Sequence, residues 1–249
     1  MLLGVLIALG ALAAGISYAG IRPSYFFQPT GLLIVVGGTL GVAFITTPRL
    51  AMFHAARRAM DLFWSSTVDR AALMEEVIAL SRVSRPKGLL MVEPLITQAS
   101  HAFLRDCLRL AVDVSNRAEL QSILESKLRL RERQGDTDAK AFDVAGGFAP
   151  TIGVMGTVVG LIDVLKQFSD LTTVAAGTGI AFLSTMYGLA LANLILLPTA
   201  QRIRARVADE SEVHELIVDG TLCLYDGVHP ALMRDRLQCF LRPTENEEK

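Results

Sequence analysis

The stretch GGFAPTIGVMGTVVGLIDVLKQF, residues 146–168, decides the fold. It is apolar enough to cross a bilayer, yet it contains five glycines, one proline, two threonines and one aspartate. Glycine weakens a helix, and a threonine hydroxyl finds no hydrogen-bond partner in lipid. A membrane span of this composition is therefore expected to turn one face towards protein or towards a polar cavity.

Four apolar segments of the chain are long enough to cross a hydrocarbon core as helices, which takes about 20 residues. They cover residues 1–20, 31–47, 144–165 and 174–197. The whole chain of 249 residues is 51% hydrophobic, which is high for a soluble domain. Because lipid offers no partners to backbone polar groups, each segment should be helical. The helix of the second segment is expected to continue past Pro48 into the amphipathic run that follows.

The distribution of positive charge predicts the topology. Of 24 Lys and Arg residues, 15 lie between Pro48 and Phe142 and 7 lie after Pro198. The other two, Arg22 and Lys166, fall in the short connections between spans 1 and 2 and between spans 3 and 4. Since cytoplasmic segments carry the excess of Lys and Arg, the long middle segment, the C-terminal tail and both termini are predicted to be cytoplasmic.

The middle segment is predicted to be helical throughout. Asp69 or Thr67 is a candidate N-cap for the first of its helices, and Asn116 followed by Glu119 is typical of a capping box. Gly135 and Asp136 are expected to break the helix that starts there before span 3 begins. After span 4, residues 199–226 have the pattern of one more helix, and a disordered tail is expected to follow it.

The predicted fold class is an all-α membrane protein, because no strand pattern appears in the sequence. Transmembrane helices 1 and 2 are assigned to residues 1–49, and a cytoplasmic helical segment is assigned to residues 50–142. Transmembrane helices 3 and 4 are assigned to residues 143–198, and a cytoplasmic helix with its tail to residues 199–249.

The sequence contains no recognisable catalytic motif. All four histidines lie in the predicted cytoplasmic segments, and His214-Glu215 lacks the second histidine of a zinc-peptidase motif. No serine lies in a nucleophile-elbow sequence, and no glycine-rich loop ends in Lys-Ser or Lys-Thr. The three cysteines are an odd number at unrelated spacings, so reduced thiols are expected. The sequence therefore predicts a protein that is not an enzyme and that has no cofactor or bound metal.

Small residues form a stripe along each of the last two spans. In span 3 they recur at helical spacing at Ala149, Gly153, Gly156 and Gly160, with Thr157 at the edge of the stripe. Span 4 repeats the pattern with Gly177, Ala181, Ser184 or Thr185, Gly188 and Ala192. Such faces let helix backbones approach closely. Two interpretations stay open on spacing alone, either tight helix packing or a hydrated face that lines an ion path.

Three further residues of these spans are candidates for a role in ion transport. Asp163 lies about one turn from the outer end of span 3, so pairing with Lys166 is favoured over carrying an ion. A titrating carboxylate, if ions are conducted, is expected to come from a partner chain. Pro150 and Pro198 flank the two spans at their cytoplasmic ends, where each marks either a boundary or a hinge.

Several of these stretches together resemble the MotA/PomA family, the A subunits of the flagellar motor stator. The resemblance rests on FAPTIGVMGTVVGL in span 3, LLIVVGGTL in span 2 and LSTMYGLALANLILLP in span 4, together with the four-span arrangement. The cytoplasmic RPKGLLMVE also fits, since family members carry an Arg and a Glu eight residues apart, as Arg85 and Glu93 are here. The resemblance to the family covers nearly the whole chain.

The resemblance implies the partners and the cellular location. Several A subunits, expected to form a pentameric ring in the bacterial inner membrane, surround a dimer of a MotB/PomB-like B subunit that carries the ion-binding aspartate. Ion flow then drives torque on the rotor protein FliG, through a contact made by Arg85 and Glu93. Without the resemblance, those two residues would be interpreted as part of a solvated helix face.

The resemblance also implies roles for residues within the membrane. Pro150 and Pro198 match prolines that couple ion flow to movement, and Thr157 and Thr185 match positions near the ion site. The transported ion is H⁺ or Na⁺. Thr157 resembles the sodium-driven branch, whereas Gln28 resembles the proton-driven one, and protons are slightly favoured.

Two other kinds of membrane protein are alternatives to the stator interpretation. An ExbB/TolQ-like energy-transducing subunit has three spans, with its large cytoplasmic segment after the first, and the LLIVVGG span argues against it. A passive membrane scaffold would need neither the two threonines nor the Arg85/Glu93 pair.

Overall fold

The computed structural model describes residues 2–20, 22–62, 68–166 and 171–241. These residues form helices and connecting turns without a β-strand, so the all-α prediction is confirmed for this part of the chain. Of the two candidate N-caps, Asp69 is the one observed, since its carboxylate accepts a hydrogen bond from Ala72 N. The other candidate, Thr67, and the C-terminal tail that was predicted to be disordered lie outside the described residues.

The N-terminal part contains three α-helices, α1 (Leu2–Tyr18), α2 (Pro29–Thr46) and α3 (Arg49–Asp61), with a 3₁₀ turn at Pro23–Phe26. The prediction that the second helix continues past Pro48 is wrong, because α2 ends at Thr46 and α3 starts afresh at Arg49. Thr47 has extended backbone angles, φ −121° and ψ 131°. A residue before proline is pushed out of the α region by the proline ring, which explains the break.

The middle of the chain contains α4 (Arg70–Lys87), a 3₁₀ turn at Leu89–Val92, α5 (Glu93–Ile96), α6 (Ala102–Asp113) and α7 (Arg117–Lys166). The prediction of a break at Gly135 and Asp136 is wrong, since α7 passes through both without interruption. One glycine inside a helix costs only about 1 kcal/mol. Gly135 is buried, as are Asp138 and Ala139 beyond it, so packing of this face offsets that cost.

The C-terminal part contains α8 (Leu171–Ala190), one stretch of π-helix at Leu191–Leu196, α9 (Leu197–Tyr225) and α10 (Pro230–Leu237). The helix expected over residues 199–226 is confirmed as α9. Among the described residues, three helices are long and apolar enough to cross a membrane, over Pro23–Thr46, Arg117–Lys166 and Val174–Tyr225. The apolar α1 is shorter, at 17 residues.

The chain divides into two compact units. Unit 1 consists of Met1–Trp64 and Gly135–Ala205, and unit 2 consists of Ser65–Gln134 and Arg206–Lys249. In unit 1, α2 packs on α8 and buries a stripe of small and β-branched residues: Gly31, Val35, Thr39 and Ala43. In unit 2, large aliphatic side chains and Phe103 form a hydrophobic core with α4, α6, α9 and α10 around it.

Candidate functional site

The closest helix packing in unit 1 is between α7 and α8, and it occurs at glycines. A Cβ atom placed on Gly160 would lie 2.6 Å from Ala181 N and 2.6 Å from Gly177 O. One placed on Gly153 would lie 2.9 Å from Ser184 O. No side chain fits at such distances from backbone atoms, so the two antiparallel helices approach to backbone contact only because both faces are made of small residues.

Gly156 marks the point where α2 joins this pair. Its Cβ would meet the side chain of Ser184 at 2.5 Å, and a Cβ on Gly31 of α2 would meet the same Ser184 hydroxyl at 2.8 Å. Ser184 is fully buried and donates to Ile180 O on its own helix, at 2.7 Å. Three helices therefore converge on one serine whose hydrogen bond is already satisfied.

One helical position further along α8, Thr185 meets Thr157 of α7. Their hydroxyl oxygens are 2.7 Å apart. Thr157 Oγ1 also lies 3.2 Å from Gly153 O on its own helix and 3.2 Å from Ala181 O on α8. The structure thus brings the two predicted threonines together in a hydrogen bond between helices, at the level of the glycine contacts.

The chemistry of this hydroxyl pair follows from its donors and acceptors. One threonine donates to the other, and the second donates to a neighbouring carbonyl, which uses both protons. Lone pairs on the two oxygens then stay open to a cation or to a proton donor. Both side chains are half-buried, so the pair is not sealed inside the helix interface. The arrangement can line a polar path through a membrane, and it also stabilises the packing of α7 on α8.

Tyr187 makes a second polar link from α8, which the sequence did not single out. Its hydroxyl donates to Phe26 O and accepts from Gln28 N at 2.9 Å. Phe26 and Gln28 belong to the turn before α2, where no side chain caps the helix. The sequence did contain one indication of this link, a tyrosine within an apolar segment. A buried tyrosine hydroxyl usually has a hydrogen-bond partner.

The two prolines flank the same region of unit 1. Pro150 lies within α7, and a Cβ on Gly146, one turn earlier, would lie 2.8 Å from Leu197, the neighbour of Pro198. Pro198 follows the π-helical stretch, whose last bond runs from Leu197 N–H to Ala192 O, five residues back. Because proline has no N–H and its ring crowds the preceding turn, a widened turn before it accommodates the ring.

Asp163 does not pair with Lys166 as expected. No ion pair joins the two side chains, which both lie within the described part of α7. Asp163 is half-buried and Lys166 is exposed. The predicted pairing is therefore wrong in this chain by itself, because the lysine side chain reaches solvent instead.

Arg85 and Glu93 lie in unit 2 and are not part of the threonine region. Arg85 is in the last turn of α4 and Glu93 is the first residue of α5. Both side chains are exposed, and neither makes an ion pair or hydrogen bond with another described residue. Gly88 between them has φ +88° and ψ 161°, a conformation that requires glycine and reverses the chain.

The described residues contain no group of three or more His, Cys, Asp or Glu side chains that could hold a metal ion. Burial raises the pKa of the Cys107 thiol to about 12, so it is not a reactive nucleophile at neutral pH. Two histidines, His101 and His229, act as helix N-caps by accepting from the backbone through Nδ1. These groups therefore have structural partners.

Comparison with known proteins gives one consistent result. Residues 96–215 match the MotA/TolQ/ExbB proton channel family. Motility protein A of Bacillus subtilis is 26% identical over 244 residues, covering 96% of this chain and 89% of that protein. Motility protein A of Treponema phagedenis is 28% identical over 228 residues, covering 90% and 87%.

The fold comparison extends over nearly the entire chain. The structure of the flagellar MotAB stator complex from Bacillus subtilis contains a chain that superposes with a TM-score of 0.89 at 25% identity. The match covers 99% of this chain and 98% of that one. Together with the sequence matches, this supports the resemblance noted from the sequence: the chain is similar over nearly its whole length to motility protein A, and residues 96–215 match the MotA/TolQ/ExbB proton channel family.

Proposed function

We propose that this chain is the A subunit of an ion-driven flagellar motor stator. The observation that carries the proposal is the hydrogen-bonded Thr157/Thr185 pair, which places two hydroxyl oxygens between the packed helices α7 and α8. Hydroxyls at membrane depth are expected to face protein or a polar cavity rather than lipid. The protein acts as a transducer of ion motive force and not as an enzyme.

The membrane topology consists of four spans. The three long apolar helices supply spans 2, 3 and 4, and the apolar α1 supplies the first. A helix of 17 residues rises about 26 Å, which a locally thinned bilayer accommodates. The charge distribution favours cytoplasmic termini and a location in the bacterial inner membrane.

The B subunit supplies what this chain lacks for ion transport. The hydrogen bonds of the Thr157/Thr185 pair involve no described carboxylate, and Asp163 is about two helical turns away from Thr157 along α7. In the proposed complex, a ring of five A subunits surrounds a dimer of a MotB/PomB-like protein. Its membrane aspartate binds the ion, and the two threonine oxygens of the A subunit complete the path past it.

Movement is coupled to ion flow at the prolines. Pro150 and Pro198 lie in the same region of unit 1, next to a π-helical stretch whose hydrogen bonds already depart from the α pattern. Such a segment needs few bond changes to bend, which suits a hinge. The movement reaches the rotor protein FliG through Arg85 and Glu93, whose unpaired charges are free to contact a partner.

The transported ion is proposed to be H⁺. The backbone of Gln28 is bound by Tyr187, and the position carries no acid. Swimming speed would be measured before and after the sodium gradient is collapsed at constant proton motive force. Unchanged speed agrees with H⁺, whereas arrest of rotation means that the ion is Na⁺.

Co-expression with the B subunit tests the proposal. The chain and its cognate single-span partner would be expressed in a strain that lacks both stator subunits, and membranes would be extracted in mild detergent. We expect the two to co-purify and to restore swimming. Failure to co-purify, with the chain well expressed and folded, would contradict the stator assignment and leave the scaffold alternative.

A further inference from the structure

The turn between Arg85 and Glu93 presents two large apolar side chains to solvent. Leu90 is 68% exposed and Met91 is 43% exposed, and they are adjacent in the 3₁₀ turn Leu89–Val92. Burial of these side chains by a partner would be favourable, because it removes apolar surface from water. Exposed apolar side chains are common singly, but an adjacent pair between two unpaired charges has the composition of an interface centre.

This turn is anchored by contacts with the hydrophobic core of unit 2. Val92 is fully buried and Ile96 is 3% exposed, and both belong to the hydrophobic core of unit 2, against which Leu89 also packs. Pro86 lies in the last turn of α4 and Pro94 is in the first turn of α5, so a residue on each flank of the turn has a fixed φ. A side chain presented on an anchored turn loses little conformational entropy when a partner covers it.

The charged residues on either side of the apolar pair indicate the charges that a partner surface should carry. Arg85 and Glu93 carry opposite signs on either side of the apolar pair, and neither has a partner among the described residues. A complementary surface has an acidic group and a basic group on either side of an apolar side chain. Exposed charge pairs contribute little to affinity, so they set orientation, and the apolar contact supplies most of the affinity.

We infer that Leu90 and Met91 form the apolar centre of the surface with which this chain contacts the rotor protein, with Arg85 and Glu93 as its charged rim. The inference rests on the proposed stator function and adds a specificity-determining contact to it. Burial of one leucine side chain makes a modest contribution to the free energy of binding. A contact of that size is strong enough to transmit force and weak enough to be released at each step.

The matched pair Leu90→Asp and Leu232→Asp tests the inference in the full A/B complex. Leu232 of α10 is also exposed in unit 2, at 62%, but it has no part in the turn. Swimming would be measured in the strain without its own stator, and co-purification of the B subunit would report assembly. We expect Leu90→Asp to abolish swimming with normal assembly, Leu90→Ala to reduce it at least several-fold, and Leu232→Asp to swim normally.

The outcomes separate the inference from the function on which it rests. Wild-type swimming by Leu90→Asp overturns the inference and leaves the stator function standing. Equal loss in Leu90→Asp and Leu232→Asp also overturns it, because the effect then belongs to general surface charge. Absence of both swimming and co-purification for the wild-type chain overturns the stator function itself. A photo-crosslinking residue at position 90, but not at 232, should also yield a covalent adduct with the rotor protein.

Discussion

The two units of this chain use opposite means to hold helices together. In unit 1, the tightest contacts join backbone to backbone at Gly153, Gly160 and Gly188, and hydroxyl groups bridge the helices. In unit 2, large side chains such as Phe103, Met74 and Leu216 fill the interior, and ion pairs such as Arg234–Glu75 lie around it. Two helices, α7 and α9, contribute residues to both units.

The difference follows from the surroundings proposed for each unit. Between helices in lipid, burial of apolar side chains gives no advantage over contact with acyl chains, so close van der Waals contact and interhelical hydrogen bonds stabilise packing. In water, burial of apolar area is the main driving force, and large side chains contribute most. Equivalent substitutions should therefore have different effects in the two units.

Phe103→Ala in unit 2 should have the largest effect on stability. Its ring is fully buried, lies 4.4 Å from the ring of His214 and stacks under the guanidinium of Arg131 at 4.6 Å. Removal leaves a cavity and should lower the free energy of unfolding by about 3–5 kcal/mol. Hydrogen exchange of the amides in unit 2 measures this loss of stability. Leu130→Ala, at a side chain that is 58% exposed, is the control and should change little.

Gly160→Ala and Gly220→Ala compare one added methyl group in the two units. In unit 1 the new Cβ would lie 2.6 Å from backbone atoms of Ala181 and Gly177, which cannot move aside separately. In unit 2 it would lie 2.7 Å from a side-chain methyl of Val77, which can shift. Overpacking lowers the stability by about 1–3 kcal/mol. Replacement of glycine by alanine within a helix raises it by up to about 1 kcal/mol, because alanine has the higher helix propensity.

We therefore expect Gly160→Ala to destabilise the complex by at least about 1 kcal/mol and Gly220→Ala to be close to neutral. Thermal stability of the purified A/B complex is the measurement. Gly179→Ala serves as the control in α8, since no atom lies within 4 Å of its Cβ position. Equal destabilisation by the Gly160 and Gly220 variants would remove the proposed contrast between the units.

Tyr187→Phe should have a smaller effect, confined to unit 1. The hydroxyl holds Phe26 O and Gln28 N, and its loss leaves these backbone groups without that partner. A hydrogen bond contributes about 0.5–1.5 kcal/mol net. Amide exchange of residues 26–32 should increase correspondingly, whereas Tyr25→Phe, at a side chain 67% exposed, should leave it unchanged. No increase in Tyr187→Phe would mean that the link is not made in the complex.

The smallest effect is a dependence of the stability of unit 2 on pH. Burial lowers the pKa of His101 below its ordinary value of 6.5, and the nearby Arg131 and Arg105 lower it further, while Glu76 and Glu210 oppose them. The folded state therefore binds fewer protons than the unfolded state. Its stability is fully present above about pH 6.5 and falls as the pH decreases through the lowered pKa.

The N-cap bond explains how His101→Asn isolates this effect. Nδ1 of His101 accepts from Phe103 N at 3.2 Å, and a proton on Nδ1 would remove that bond. Asparagine caps a helix without titrating. Exchange of α6 amides should therefore accelerate below pH 6.5 in the wild type and less so in His101→Asn. The same acceleration in both proteins would assign the pH dependence to another group.

Much of the fold could be predicted because the signals are local. Apolar length identified the long spans, periodicity identified α9, and Asp69 has the chemistry of a cap. The breaks were harder to predict. Pro48 ends a helix and Pro150 does not, and Gly135 lies unbroken in α7, because packing over neighbouring turns offsets a local penalty.

The candidate site could be predicted in part for the same reason. The small-residue spacing indicated that α7 and α8 would meet at their glycine faces, but spacing gives no register between helices. The distance between Thr157 and Thr185 therefore had to come from the structure. Tyr187 depends on a turn about 160 residues away, and no local pattern connects the two. The exposure of Leu90 likewise depends on which neighbours fill the core.

Ion flux through the reconstituted A/B complex, with and without the threonine hydroxyls, tests the central claim most directly. Thr157→Val and Thr185→Val keep the size of the side chain and remove its oxygen. Thr178→Val on α8 is the control, because that hydroxyl donates only to Val174 O on its own helix. We predict at least a tenfold loss of flux for each of the first two variants with intact assembly, and near-normal flux for the control. Normal flux through the Thr157→Val, Thr185→Val double variant would contradict the account.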